Sequence, residues 1–247
     1  MNIMLGRKIF SVFAGLLLFV AASFAVSAAA SDKSAKENSE KTRVEAPVNL
    51  AILIQDDLVS RVGNELDVTR SFIRSLPKGS RVMVAYITTG ALQVRQPFTN
   101  DLEKAAKSLR VPIGSTEVSP YNPYVEVVEA LKQFEAKGEN HNALLLISDG
   151  LDTSHGFDID SAANTVDLLR AIKESQRRNV SVYSFYAPTV GLTSWNHLAV
   201  SYGQSSLNRL SNETSGRAFF QGTSFVTFDS YFDHLRQALN EQSERAY

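Results

Sequence analysis

Two uninterrupted apolar runs limit the folds open to this chain more than any other feature. Residues 48–54 (VNLAILI) end at Gln55-Asp56-Asp57, and residues 143–147 (ALLLI) end at Ser148-Asp149-Gly150. Neither run alternates with polar residues, so a strand made from either must be covered on both faces, as in the middle of a parallel sheet. The segments around them carry helical periods. Leu66, Thr69, Ile73 and Leu76 share a stripe that Pro77-Lys78-Gly79 ends. Tyr124, Val127, Val128, Leu131 and Phe134 make a second stripe, and Val166, Leu169 and Ile172 a third. Residues 81–88 and 92–98 read as a hairpin with an edge strand, turning at Thr89-Gly90. Asn100 is placed to cap a short helix carrying Leu102, Ala105, Ala106 and Leu109.

The remaining segments fit the same alternation. Three prolines exclude regular structure over residues 111–123, residues 180–186 form another strand, and residues 207–212 a short helix. Gly216 turns the chain into a last strand over 217–221, and Phe228, Tyr231, Phe232, Leu235 and Leu239 stripe a C-terminal helix with core-packing aromatics. Strands alternating with helices predict an α/β fold: a doubly wound, mostly parallel central sheet with one antiparallel edge strand and helices on both faces.

The ends of the chain set the compartment. Residues 1–30 read as a secretory signal peptide, with Arg7 and Lys8 ahead of an apolar run over 9–26 and small residues at 27–30. Left uncleaved, the same run would be a membrane anchor. Either way the domain is expected outside the cytoplasm, secreted or periplasmic. Residues 31–46 are charged, nearly free of large apolar side chains, and read as a solvated linker. The folded domain is therefore placed at 47–242 with a short tail at 243–247. An apolar content of 44% excludes wholesale disorder, and a net charge of -1 argues against a nucleic-acid partner. The absence of cysteine removes disulfides, thiolate metal sites, cysteine nucleophiles and a lipidated cysteine together.

In a doubly wound sheet, ligands bind beyond the carboxyl ends of the strands. If the two apolar strands are neighbours, Asp56, Asp57 and Asp149 meet at one edge, and carboxylates and hydroxyls there suit a hard cation such as Mg²⁺ or Mn²⁺. The same acids also serve as ordinary turn formers, and Ser60 as a helix cap. The loop after Asp149 holds Asp152, His155, Asp158 and Asp160 without the spacing or central glycine of a calcium loop; Asp158 or Asp160 reads better as the cap of the helix with Val166.

Three stretches, VNLAILIQDDLVS, ALLLISDGLD and LNRLSNETSGRAFF, resemble a von Willebrand factor type A (VWA) domain of the secreted bacterial branch, over roughly residues 47–240. The resemblance implies a domain that binds a protein partner at the top of the sheet, where the family's cation is held by an Asp-x-Ser-x-Ser loop, a second-loop Thr and the Asp of an Asp-Gly pair. Asp149 matches that last position. The first loop departs from the pattern. Aligned directly, its three positions fall on Gln55, Asp57 and Val59; slipped by one, on Asp56, Leu58 and Ser60. Thr116 and Ser119 are the second-loop candidates. The implied rim is Asp56, Asp57, Ser60, Ser119 and Asp149, with a degenerate metal site or with Mg²⁺ or Mn²⁺ bound weakly.

No nucleophilic elbow, His-Glu-x-x-His pair or phosphate-cradling loop is present, and the four histidines lie in separate segments. The expectation is a non-enzymatic protein-interaction domain with an unknown protein partner, no nucleic acid, and membrane contact only through an uncleaved N-terminal segment. The alternatives are a Mg²⁺-dependent adhesion or assembly module and a metal-dependent hydrolase using Asp56, Asp57 and Asp149. Residues 188–206 hold the one tryptophan, Trp195, either as an interaction anchor or as a plug beneath a loop packed over the sheet.

Overall fold

The computed structural model describes residues 43–135, 140–154, 165–220 and 227–245. Its sheet is built outward from β1 (Val48–Gln55), which pairs in parallel with β2 (Arg81–Thr88) on one side and β4 (His141–Ser148) on the other. β5 (Val180–Tyr186) continues in parallel beyond β4, with β6 (Ala218–Phe219) beside it at the far edge. β3 (Ala91–Thr99) closes the opposite side antiparallel to β2, so the order is β3-β2-β1-β4-β5-β6.

The unbroken apolar runs arise from two covered faces. Leu50, Ile52 and Ile54 of β1 enter one core with α1 (Leu66–Ser75), α2 (Leu102–Lys107) and α6 (Phe228–Arg245). Ala51 and Leu53 point the other way, into a second core with α3 (Tyr124–Leu131), α4 (Val166–Arg177) and α5 (His197–Glu213). The aromatic stripe of α6 is core: Phe232 stacks on Phe72 at 4.5 Å between ring centroids, and Phe185 packs edge-on to it at 5.0 Å. β3 alone leaves most of its side chains in solvent. Its ladder shifts register near Val84, and Pro97 lacks an N–H to offer.

The structure departs from the sequence reading at several boundaries. Val44 is buried, and Asn240 of α6 binds the backbone of Arg43 and Glu45, so the packed chain begins inside the expected linker. Helix α6 runs to Arg245 rather than stopping at a tail. Asp101, not Asn100, caps α2 by accepting from Lys104 N, and Thr165 caps α4 by accepting from Leu168 N. Asp158 and Asp160, like residues 1–30, lie outside the described residues. The helix expected at 207–212 is the second half of α5, and residues 188–196 are the true connection. Gly203 hid that helix, because glycine lowers helical propensity. It is required by packing: a Cβ there would lie 1.9 Å from the backbone oxygen of Asp149.

Candidate functional site at the carboxyl edge of the sheet

The two acid-tipped strands are adjacent, with Ile54 opposite Ile147, so Gln55 and Ser148 leave the sheet side by side. The Gln55 amide bridges the ends of both strands. Its carbonyl oxygen accepts from the Ser148 hydroxyl at 2.5 Å, and its amide nitrogen donates to Asp57 Oδ1 at 2.9 Å. The other oxygen of Asp57 accepts a short hydrogen bond from the Ser119 hydroxyl. Burial pushes the Asp57 carboxyl above its ordinary value, and the bonds from Ser119 and Gln55 hold it back.

Asp149 is buried directly beyond β4. Its Oδ1 accepts from Leu151 N at 3.1 Å, while Oδ2 accepts from the hydroxyls of Thr189 at 3.1 Å and Thr193 at 3.0 Å. Burial, with the Asp57 carboxylate nearby, raises its carboxyl to about 6. Gly150 takes φ +68, and Gly150 and Gly203 together let α5 approach this turn closely.

Asp56 belongs to the same edge but faces elsewhere. It is fully buried and makes a two-pronged ion pair with Arg110, Nη1 to Oδ1 at 2.6 Å and Nη2 to Oδ2 at 2.7 Å. Ile113 N donates to Oδ1 as well, at 3.0 Å. The guanidinium lies 4.0 Å from the ring centroid of Tyr86, whose hydroxyl donates to Arg110 O and accepts from Arg110 N.

Of the expected rim, then, Asp57, Ser119 and Asp149 come together, Asp56 is committed to Arg110, and Ser60 is exposed on a neighbouring groove. Thr116 is exposed in a 3-10 turn, so the second-loop hydroxyl facing the carboxylates is that of Ser119. Ser60 caps nothing: the turn it opens starts at Val59 without a side-chain bond, and α1 is likewise uncapped by side chains. β1 ends at Gln55, and of the first-loop residues beyond it Asp57 is the one that meets both Gln55 and Ser119.

This donor set does not fit a divalent cation. Mg²⁺ and Mn²⁺ take oxygen ligands in an octahedral array, whereas Gln55 turns N–H toward Asp57 and its oxygen toward Ser148. Each oxygen of Asp57 and Asp149 already accepts a donor, and among the described residues no three His, Cys, Asp or Glu side chains are grouped to hold a metal. Sequence reasoning missed Arg110, Thr189 and Thr193. Nothing local marks Arg110 as the partner of Asp56, but the two threonines come just after β5, a third strand end at the same edge.

No protein-family model and no curated protein sequence matches the chain. Solved structures do. A conserved hypothetical protein, BatB of Bacteroides thetaiotaomicron, superposes with a TM-score of 0.56 at 13% identity, over 81% of this chain and 100% of that one. With an aerotolerance-related membrane protein of Bacteroides fragilis the TM-score is 0.53 at 13% identity, over 80% of this chain and 100% of that one. The mostly parallel sheet with its single antiparallel edge strand is the doubly wound arrangement expected from the sequence. The fold is that of a von Willebrand factor type A domain. The VWA domain of SpRpn10 is a looser likeness, with a TM-score of 0.43 at 11% identity over 75% of this chain and 93% of that one. Within the VWA fold of this chain, the carboxyl edge of the sheet is closed by its own side chains.

Proposed function

We propose that this chain is a secreted or periplasmic, non-enzymatic VWA-type domain that binds a protein partner through the loops at the carboxyl edge of its sheet, with a degenerate metal site. The observation that carries this reading is the internal satisfaction of all three acids. Asp56 is neutralised by Arg110, Asp57 is held by Gln55 and Ser119, and Asp149 by Thr189 and Thr193, which leaves none of these three carboxylates free to activate water. Around this closed centre the loops and the first turn of α5 expose apolar side chains: Val111, Ile113, Tyr121 and Trp195 on loops and Leu198 on the helix, with Trp195 69% and Tyr121 67% exposed. Exposed aromatics set among polar groups are common anchors of protein interfaces. An envelope location is supported by the N-terminal apolar run and by the description of the B. fragilis relative in fold as a membrane protein. Among the described residues no helix is long and apolar enough to cross a membrane.

The deciding experiment is affinity capture from an envelope extract with the wild type and with Tyr121→Asp. A specific partner retained by the wild type and lost with Tyr121→Asp supports the reading; a capture profile unchanged by that substitution refutes it. In parallel, about 5–10 mM Mg²⁺ or Mn²⁺, roughly ten times a weak millimolar Kd, is expected to leave the Tm unchanged, whereas a resident cation would stabilise by linkage.

A further inference from the structure

Beside the closed centre runs an open groove of about 470 Å³, lined by Val59, Ser60, Arg61, Trp195, Asn196 and His197, among others. Its floor is fixed by the site itself. Leu58 and Thr189 form an antiparallel bridge, Val59 N donates to Pro188 O at 3.1 Å, and Val190 N donates to Asp57 O at 3.0 Å, so the loops after β1 and β5 are laced together. Thr193, which lines the groove, ties that floor to Asp149.

Among the described residues the wall carries one guanidinium, one imidazole and one indole beside hydroxyl and amide groups, and no carboxylate. Arg61 is exposed and makes no ion pair with any described residue, unlike Arg110, Arg74 and Arg177 elsewhere on the surface. The connection bearing Trp195 is held by its own backbone: Trp195 N and Asn196 N both donate to Leu192 O, and the Asn196 side chain accepts from Leu198 N and Ala199 N. The indole is therefore presented on an ordered support, which lowers the entropy lost on binding.

We infer that this groove receives an acidic, extended segment of the protein partner, with a carboxylate on the Arg61 guanidinium and an adjacent apolar or aromatic side chain against Trp195. This names the chemistry of the partner and rests on the interaction reading above. Guanidinium pairs with carboxylate through two parallel charge-assisted hydrogen bonds, and a flat indole next to it supplies apolar area at small entropic cost. The acidic centre does not oppose such a segment, because Asp57 and Asp149 are buried behind their hydroxyl donors.

Trp195 is the chain's only tryptophan, so its fluorescence reports on this groove alone. The full chain is titrated with the peptide acetyl-Glu-Asp-Phe-Asp-Glu-amide and with its charge-reversed form, acetyl-Lys-Lys-Phe-Lys-Lys-amide. The acidic peptide is expected to give a saturable change that weakens about tenfold in Arg61→Glu, at unaltered far-UV circular dichroism and Tm, while the basic peptide gives none. An equal response to both peptides, no saturable response, or affinity indifferent to Arg61→Glu overturns the inference. Partner capture with the same variant separates the two levels. If Arg61→Glu captures the partner as the wild type does while Tyr121→Asp does not, the groove is wrong and the interaction reading stands. If neither substitution alters capture, the interaction reading itself fails.

Discussion

Removing Arg110 tests the edge of the sheet most directly. Asp56 is fully buried, and its carboxylate has three donors, two of them from the Arg110 guanidinium. Arg110→Met keeps an unbranched apolar stem over Tyr86 but deletes both charge-assisted bonds, leaving a buried carboxylate with the single N–H of Ile113. Breaking a buried ion pair from one side costs about 3–5 kcal/mol, since the remaining charge is desolvated without compensation. The Arg110 side chain is 27% exposed, so water can approach from its side and the lower figure, about 3 kcal/mol, applies. For a domain of about 200 residues that corresponds to a fall in Tm of about 6–12 °C. Urea unfolding of the wild type, Arg110→Met, Asp56→Asn and the double variant closes a double-mutant cycle. The double variant is expected to recover about 2 kcal/mol relative to the sum of the singles, because no charge is then stranded. A loss below about 1 kcal/mol in Arg110→Met, the range of an exposed ion pair, would refute the reasoning.

The same geometry sets two further outcomes. Gly203→Ala should cost about 3 kcal/mol, since its Cβ would meet the Asp149 backbone oxygen at 1.9 Å with no flexible side chain to give way; a Tm equal to the wild type would show that α5 does not press on this turn. The Asp149 carboxyl, raised from 3.8 to about 6, binds its proton more tightly in the folded state than in the unfolded chain. Its contribution to stability is therefore fully present below about pH 4 and lost as the pH rises through about 6, a difference of about 3 kcal/mol. Urea unfolding of the wild type and Asp149→Asn across that window should show the excess slope only in the wild type, and parallel profiles would refute it.

Patterns that depend on neighbours in sequence were legible from the chain. Runs covered on both faces, such as 48–54 and 143–147, announce central parallel strands by composition alone, and their acidic tips mark the edge where loops collect. Contacts made across the fold were not. Asp56 and Asp57 are adjacent in sequence and read as one acid pair, yet they leave the strand in different directions, one to Arg110 and the other to Gln55 and Ser119. Gln55 falls on a metal-loop position in one of the two alignments, but Ser148 claims its oxygen and leaves the N–H group for Asp57. The first half of α5 was obscured because Gly203 and its serine-rich surroundings lower helical propensity, whereas the need for glycine arises only when Asp149 is brought against it.

The outer strand β3 bears on how this molecule meets others. With Pro97 in its row of backbone donors, a register shift against β2 and Arg95 turned into solvent, it makes a poor template for a foreign strand. Growth by β-augmentation along that flank is thereby discouraged, a useful property for any chain that must stay unclumped among crowded neighbours. Selectivity then resides in side chains displayed by loops, where a partner must match shape and charge instead of merely lending its main chain.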